Sequence, residues 1–273
     1  GLRRCAMNTI RIPVLTIAGS DSSGGAGIQA DLKTMLARTV YGMSAITALT
    51  AQNTTGVQGI LPVPAAFLQQ QLEAVCSDLP PQAVKIGMLA SADQVPVICQ
   101  AIRTYALRNI VVDPVMVATT GATLTQQETI CAMQEQLFPL ATLLTPNLVE
   151  AEALLGTAIT TCSEMEQAAK QLAARYHTAV LLKGGHLTEE ATDILYDPET
   201  RLHAFPGKRM HTANTHGTGC TLSSALAAEL AKGHSLPESV RLAKDYVAQC
   251  IGAGLVLGHG NGPICHDCII SPQ

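Results

Sequence analysis

The chain has 273 residues, of which 47% are hydrophobic, 14% charged and 3% aromatic, and it contains no Trp. This composition predicts a large aliphatic core and excludes a chain that is disordered over its whole length. The formal net charge of −4 comes without a basic cluster longer than Lys208-Arg209, which argues against nucleic acid as a partner. The least polar long stretch near the C-terminus, residues 247–258, has only twelve residues and is too short to span a bilayer.

Short apolar, β-branched segments alternate along the chain with longer helical patterns. Two helices, at 26–37 and 64–79, follow the first two predicted strands. The predicted strands are 12–20, 43–52, 83–90, 109–116, 141–147 and 179–185. Continuous apolar strands that alternate with helices are typical of a parallel sheet covered on both faces. Farther on, TDILYD (192–197) and LHAFP (202–206) predict a hairpin, and so a small antiparallel edge.

No linker-like tract or composition shift divides the chain, so we predict a single α/β domain over 1–273. Residues 1–6 precede Met7 and are interpreted as a cloning remnant, and 267–273 as a tail. No secretory signal is predicted. The nine cysteines are scattered and odd in number, which predicts reduced thiols in the cytoplasm. Cys265 and Cys268 have CxxC spacing, but without a second CxxC a zinc or thiol-redox protein is the least favoured hypothesis.

Polar and glycine residues follow the predicted strands, where ligands bind in open α/β sheets. The glycine-rich segment 19–33, GSDSSGGAGIQADLK, matches neither the P-loop nor the dinucleotide pattern in full. It is either a tight strand–helix turn or a ligand loop. Asp31, inside the helix that follows, either hydrogen-bonds a substrate or belongs to a solvated helix face.

A second glycine-rich turn, Gly217-Thr218-Gly219-Cys220, leads directly into an Ala/Leu-rich helix. A helix start offers unpaired N–H groups and a positive dipole end, so this turn can hold a phosphate oxygen or a developing anion. A thiol there is expected to have a lowered pKa and to accept a proton from an alcohol. The alternative is a small buried cysteine at an ordinary helix start.

Charged residues mark three further strand ends. Asp113 and Glu150 are predicted to hold Mg²⁺ through water, although each alone is typical of a capping or surface acid. Lys183 ends an apolar strand, where burial of a lysine calls for an anion such as phosphate. The histidines are interpreted mostly as structural or rim residues: His186, His216, His259 and His266.

Taken in order, these segments resemble one family. They are AGSDSSGGAGIQADLK, ITALTAQNT, KIGMLA, VVDPVM, TPNLVEAEAL, LKGGH, NTHGTGCTLSSALAA and GHGNGPICH. From about residue 10 to 266 the chain resembles the hydroxymethylpyrimidine/phosphomethylpyrimidine kinases of thiamine biosynthesis, in the ribokinase-like superfamily. The resemblance implies a three-layer α/β/α sandwich. Most superfamily members carry an Asp base in a GAGD-type motif, whereas the kinases resembled here carry Cys in GTGC.

The resemblance also implies the activity. It is transfer of the ATP γ-phosphoryl group to the hydroxymethyl group of an aminopyrimidine, and then to the resulting monophosphate, by a Mg²⁺-dependent homodimer. Cys220 would be the general base, beside an anion hole built from the amides of Gly217, Thr218 and Gly219. Gln52 would hold the pyrimidine, with Asp31, Ala26, Thr50 and Met88 around it. The resemblance further implies Asp113 and Glu150 as the residues that hold the metal, Lys183 as the residue that contacts the ATP phosphates, and Asn147 close by.

Two alternatives remain open. Some relatives phosphorylate pyridoxal and resemble a branch with a lid cysteine after DPVMV, where this chain has Ala118. That position and Gln52 favour the pyrimidine. A non-catalytic ligand-binding domain is the other alternative, against which the Asp113, Glu150, Lys183 and Cys220 set argues. The chain departs from the family in its tail, GPICHDCIISPQ, and in TTGATL (119–124), which supplies no lysine and is given no role.

Overall fold

A computed structural model describes residues 10–117, 121, 123–185, 192–207, 212 and 214–268. The interpretations of residues 1–6, Ala118, His186 and 269–273 fall outside these ranges, as does half of TTGATL, residues 119, 120 and 122. In the described chain, no helix is both long and apolar enough to cross a membrane.

Nine strands of the described residues form one sheet in the order β3-β2-β1-β4-β5-β6-β7-β8-β9. Neighbours from β2 to β7 pair in parallel, whereas β3, β8 and β9 join antiparallel. The strands are β1 Pro13–Ser20, β2 Tyr41–Asn53, β3 Gly56–Pro62, β4 Ala83–Ile86, β5 Ile110–Val112, β6 Leu143–Leu144, β7 Ala179–Leu182, β8 Asp193–Asp197 and β9 Arg201–Phe205.

Helices cover both faces of this sheet. They are α1 Gly27–Ala37, α2 Ala65–Asp78, α3 Gln94–Thr104, α4 Gln127–Ala132, α5 Leu148–Leu155, α6 Cys162–Tyr176, α7 Thr218–Ala231 and α8 Leu236–Ala253. A π-helical turn, Met133–Leu137, and a 3₁₀ turn, Phe138–Leu140, continue α4. One apolar core lies between the sheet and α2, α3, α5 and α6, and a second lies between the sheet and α1, α7 and α8. The predicted three-layer sandwich is confirmed.

The central strands are mostly apolar because both of their faces are buried. In β1, Val14 packs into the second core while Leu15 and Ile17 pack into the first. Successive strand residues point to opposite faces, so a strand between two helical layers needs apolar residues at nearly every position. The predicted strands and the 192–206 hairpin are all present. Most strands have shorter bounds than predicted, whereas β2 is longer than the predicted 43–52 and β9 begins and ends one residue earlier than predicted.

One strand was not predicted. β3 pairs antiparallel with β2, so the sheet has antiparallel strands at both edges. Its sequence, GVQGILP, contains two glycines and a proline and is largely exposed. An edge strand tolerates proline and needs no apolar alternation. The usual sequence signals of a strand are therefore absent at β3.

Candidate active site

The predicted site residues divide between two groups of strand ends along one edge of the sheet. Gln52 and Thr50 end β2, and Met88 follows β4. Beyond them in the sheet order, Asp113 follows β5 and Lys183 follows β7. Helix α7 packs against β1, β4 and β5, which lie between β2 and β7 in the sheet. The N-terminus of α7, with Cys220, therefore lies between a Gln52 side and a Lys183 side.

The two glycine-rich turns are packed directly against each other. Gly217, the N-cap of α7, has φ +85°, and a Cβ placed on it would lie 1.9 Å from the Gly25 carbonyl oxygen. A Cβ on Gly25 would in turn lie 2.5 Å from the His216 ring. Only residues without a side chain allow this approach. The glycines were predicted to admit a ligand, but at these two positions the groups that come close belong to the protein itself: the Gly25 carbonyl at Gly217 and the His216 ring at Gly25.

A buried hydrogen bond joins the same two turns. His216 Nε2 lies 2.7 Å from Asp21 Oδ2, and the Asp21 carboxylate also accepts the backbone N–H groups of Gly25 and Ala26. Although burial opposes ionisation, the hydrogen bonds from His216 and Ser23 lower the pKa of Asp21. His216 is thus structural, as interpreted from the sequence, and its partner Asp21 was missed.

Cys220 is half-buried in the first turn of α7. Its sulfur accepts the Gly27 N–H, so it faces the glycine-rich segment after β1. Burial raises the pKa of the thiol, and the positive charge of Lys85 only partly offsets this. The sequence-based expectation of a lowered pKa is wrong, because it counted the helix dipole and not the loss of water around the sulfur.

One of the three amides predicted to form an anion hole is already occupied. The Thr218 N–H donates to the Thr215 carbonyl at 3.2 Å, and the Thr218 hydroxyl donates to the same oxygen at 2.7 Å. Gly219 faces the charged side chains instead, since a Cβ placed on it would lie 3.5 Å from Asp113 Oδ2 and 3.6 Å from Lys183 Nζ. The anion-hole roles of Gly217, Thr218 and Gly219 stay predictions, and that of Thr218 requires its N–H to leave the Thr215 carbonyl.

Asp113, Glu150 and Lys183 form a charged cluster beside this turn. Lys183 Nζ lies 3.8 Å from Asp113 Oδ1, and both carboxylates are buried. Burial and the negative charge of Asp113 raise the pKa of Glu150 to about 7. Although burial opposes it, the two carboxylates raise the pKa of Lys183. Two buried acids thus share one lysine, and an added cation would relieve their repulsion.

Asn147 and Glu150 also have a structural function. They form a capping box at the start of α5, in which each side chain accepts the backbone N–H of the other residue. Asn147 pairs in parallel with Lys183, so the box is attached to the end of β7. The capping box fixes Glu150 and occupies the Asn147 oxygen. The contact of Asn147 with ATP stays a prediction.

The carboxylates fit a magnesium ion held mainly through water. Within the described ranges there is no group of three or more His, Cys, Asp or Glu side chains that would hold a metal. Mg²⁺ does not require such a group, because it keeps several waters and takes one or two carboxylates plus substrate phosphates.

Cys265 donates to Asp267 at 3.0 Å, and Cys268 lies 3.6 Å from Cys250, so the two CxxC thiols have separate partners.

On the other side of Cys220, Gln52 and Thr50 lie together at the end of β2. The Thr50 hydroxyl contacts both the Ser20 carbonyl at 2.8 Å and Gln52 Oε1 at 3.1 Å. Met88 approaches the end of β1, since a Cβ placed on Gly19 would lie 3.1 Å from its sulfur. Ala26 is the N-cap of α1. Their roles toward a pyrimidine stay predictions, but the fold places all of them at the carboxyl ends of β1, β2 and β4.

Asp31 does not lie with the residues predicted to surround the pyrimidine. It is completely buried, and its carboxylate accepts hydrogen bonds from Thr16 Oγ1 at 2.6 Å, Lys85 Nζ at 2.9 Å and Ser224 Oγ. Both expectations for Asp31, a substrate contact and a solvated helix face, are therefore corrected. Lys85 was not among the predicted site residues. Its only signal was a lysine inside the apolar segment AVKI, where an unpaired charge is costly.

Comparison with known proteins places the chain in a family. The model of the family described as phosphomethylpyrimidine kinase matches residues 21–265. The chain is 46% identical over 257 residues to the hydroxymethylpyrimidine/phosphomethylpyrimidine kinase of Haemophilus influenzae, covering 93% of this chain and 96% of that protein. It is 50% identical over 254 residues to the thiamine biosynthesis bifunctional protein ThiED of Geobacter sulfurreducens, of which it spans only 52%.

Solved structures agree on the fold. The pyridoxal kinase of Bacillus subtilis, in an ADP complex, has a TM-score of 0.87 and 38% identity, with 95% of this chain and 99% of that chain covered. The phosphomethylpyrimidine kinase of Clostridium difficile 630 has a TM-score of 0.79 and 43% identity, with 88% and 100% covered. The ribokinase-like fold is thereby confirmed, and the chain belongs to the phosphomethylpyrimidine kinase family.

Proposed function

We propose that this enzyme transfers the γ-phosphoryl group of ATP to the hydroxymethyl group of 4-amino-5-hydroxymethyl-2-methylpyrimidine, and then phosphorylates the monophosphate to the diphosphate. The observation that carries the proposal is the family match over residues 21–265, with relatives of that name at 46% identity and 96% coverage. Both reactions move the same group, so one site serves them in succession.

The layout of the site supports this assignment. Gln52, whose amide both donates and accepts, lies on one side of Cys220 and suits an aminopyrimidine edge. Lys183, on the other side, suits the phosphates of ATP. The hydroxymethyl group would then meet the γ-phosphorus at the first turn of α7. Its N–H groups and dipole favour the negative charge that develops there.

Cys220 acts in the first transfer as a thiolate. The sulfur takes the proton of the hydroxymethyl O–H while the alcohol oxygen bonds to the γ-phosphorus. The bond from that phosphorus to the β–γ bridging oxygen breaks, and ADP leaves. In the second transfer the acceptor is already a phosphate anion, so a base contributes less.

Asp113 and Glu150 are the residues that would hold Mg²⁺, each through water. When bound, the ion supplies neutralisation of phosphate charge. The two carboxylates also act on Lys183, and this effect does not depend on a metal. They hold Lys183 charged and fix its ammonium beside Gly219 at the start of α7.

The test is mass spectrometry of the products formed from ATP, Mg²⁺ and hydroxymethylpyrimidine, with mono- and diphosphate measured separately. Cys220→Ala should impair the first phosphorylation more than the second. Cys131→Ala, which removes an exposed thiol on α4, is the matched control and should alter neither step. Equal losses in both steps would refute the role of Cys220 as a base. Absence of phosphorylated pyrimidine with the wild-type enzyme would refute the function.

Pyridoxal is a second candidate acceptor. The observation that favours it is the likeness to the Bacillus subtilis pyridoxal kinase, at a TM-score of 0.87. The identity to that structure is 38%, against 46% for the Haemophilus influenzae pyrimidine kinase, so we place the pyrimidine first. Parallel assays with equal concentrations of the two acceptors separate them. A higher kcat/KM for pyridoxal would reverse the order.

We further propose a cytoplasmic homodimer. The cysteines of the described ranges are all unbridged thiols, as suits a reducing compartment. At the β2–β3 edge, Leu49 and Leu61 are register partners and are 48% and 65% exposed. Apolar side chains side by side on a sheet surface suit an interface between two copies. Light scattering behind a sizing column measures the mass, and Leu61→Glu should shift it from dimer to monomer.

A further inference from the structure

A buried ion pair lies in the core behind the first turn of α7. Lys85, on β4, is completely buried, and its ammonium group lies 2.9 Å from Asp31 Oδ2 on α1. Thr16, opposite Lys85 in the β1–β4 register, and Ser224 on α7 donate to the same carboxylate. Four elements therefore meet at one pair of charges.

The fold alone does not require charges here. Moving a lysine and a carboxylate out of water costs several kcal/mol each, and apolar residues of similar volume often stabilise a core as well or better. Along the strands the neighbours on the same side are aliphatic: Val14 and Ala83 lie two residues before Thr16 and Lys85 on the same faces of β1 and β4. A buried pair in such a place suggests a function that depends on charge.

The position of the pair indicates what it acts on. Ser224, which hydrogen-bonds Asp31, lies one helical turn after Cys220 on the same face of α7. Four charged groups interact electrostatically with the thiol: Lys85 from β4, Asp31 from α1, Asp113 from the end of β5 and Lys183 from the end of β7. Among the groups acting on the sulfur itself, Lys85 is the main one that favours the thiolate over the thiol.

We propose that Lys85, held by Asp31, is a positioning residue for phosphoryl transfer: it fixes a positive charge behind the first turn of α7 and thereby stabilises the thiolate of Cys220. This inference rests on the proposed function, in which Cys220 is a base. A protonated thiol cannot accept a proton from the substrate hydroxyl, so the site needs a nearby cation that substrate binding does not displace. Asp31 holds that cation in place at 2.9 Å, and besides Asp31 the negative charges of Cys220 and Asp113 also raise the pKa of Lys85 against the effect of burial, so the ammonium stays charged without Asp31.

The direct test measures the thiolate without turnover. Cys220 is alkylated with iodoacetamide over a pH series, and its peptide is quantified by mass spectrometry. Lys85→Met should slow alkylation about tenfold below the thiol pKa, because one pKa unit is a tenfold change in thiolate. Asp31→Asn removes the opposing negative charge and should leave the rate unchanged or raise it. A purely structural pair would behave differently, since breaking it from either side would disturb the turn to the same extent.

The matched control is Arg38→Met. It removes a cation from another buried carboxylate on α7, Glu229, which lies more than two helical turns away from Cys220. Alkylation of Cys220 should be unchanged in this variant. A wild-type rate in Lys85→Met, or equal slowing in Lys85→Met and Asp31→Asn, would overturn the proposal.

Two further measurements keep the test decisive. If Lys85→Met does not fold, Asp31→Asn is compared with the double variant Asp31→Asn/Lys85→Met. These differ by the same charge and leave no unpaired carboxylate, and the slower rate is again expected in the variant without the lysine. In steady-state assays Lys85→Met should lower kcat for the first phosphorylation about tenfold and leave KM unchanged. Should the wild-type enzyme not phosphorylate the pyrimidine at all, only the proposed function fails, because the alkylation result stands without it.

Discussion

His266 should make the folded enzyme sensitive to acid, and the substitution that tests this is His266→Gln. The side chain is buried, and its Nε2 lies 2.8 Å from the hydroxyl of Thr221, the residue after Cys220. The backbone carbonyl of His266 accepts the Tyr246 hydroxyl at 2.6 Å. These two hydrogen bonds hold the end of the described chain against α7 and α8.

Burial, together with the positive charge of Lys33, lowers the pKa of His266 from its usual 6.5 to about 4. Between these values the unfolded chain binds a proton that the folded protein does not, so stability falls as pH falls. The whole effect is about 3 kcal/mol, and about 2 kcal/mol of it is lost between pH 7 and pH 5. Below about pH 4 both states are protonated and the loss is complete.

Urea unfolding at pH 7 and pH 5 measures the effect. Glutamine does not titrate and can still accept from Thr221, so His266→Gln should lose about 2 kcal/mol less than the wild type over this interval. His259→Gln is the control, because His259 is exposed and its substitution should leave the pH dependence unchanged. Equal pH dependence in wild type and His266→Gln would show that His266 takes up its proton in the folded protein as easily as in the unfolded chain, and would refute the argument.

Three other substitutions test separate parts of the structure. Gly217→Ala should destabilise the protein by more than about 3 kcal/mol, because it combines a positive φ with a backbone clash, whereas Gly233→Ala, with φ +90° and open space around its Cβ, should cost only about 1 kcal/mol in urea unfolding. Lys183→Met should raise the KM for ATP about tenfold or more while the KM for the pyrimidine stays unchanged; the opposite pattern would remove Lys183 from the phosphate side. Ser235→Ala should lower stability by about 1 kcal/mol, since Ser235 caps α8 by accepting the Glu238 N–H; an unchanged urea midpoint would refute the cap.

The fold was predictable because its central strands carry a strong local signal. A segment such as PVLTIAGS is apolar at nearly every position only if both faces of the strand are covered, and the alternation with helices then implies a parallel sheet. β3 lacked any such signal, because an exposed edge strand with two glycines and a proline looks like a loop in sequence. What identified the ribokinase-like sandwich was the order of several motifs together, and no single one of them.

The site residues were less predictable than the fold. The predictions that proved wrong concern contacts between residues that are far apart in the sequence. Asp31 and Lys85 are 54 residues apart, and nothing local indicates that they form an ion pair. The pKa of the Cys220 thiol was wrongly predicted for the same reason: the helix start is visible in the sequence, whereas the burial that outweighs it is created by the segments packed around it. By contrast, residues directly after apolar strands, such as Asp113 and Lys183, were correctly expected to meet at one edge of the sheet.

The first turn of α7 is held from three directions, and each contact restricts a different motion. Gly217 fits against Gly25 so closely that the turn cannot advance toward the glycine-rich segment. Ser224 is bonded to the buried Asp31, which fixes the rotation of the helix about its axis. Thr221, one helical turn before Ser224, is bonded to His266, which holds the helix to the C-terminal segment. A base must lie within hydrogen-bond reach of the proton that it removes, and a displacement of about 1 Å can cost about a hundredfold in rate. Substitutions at Ser224 or His266 should therefore reduce the first phosphorylation, although neither side chain is placed in contact with the substrate.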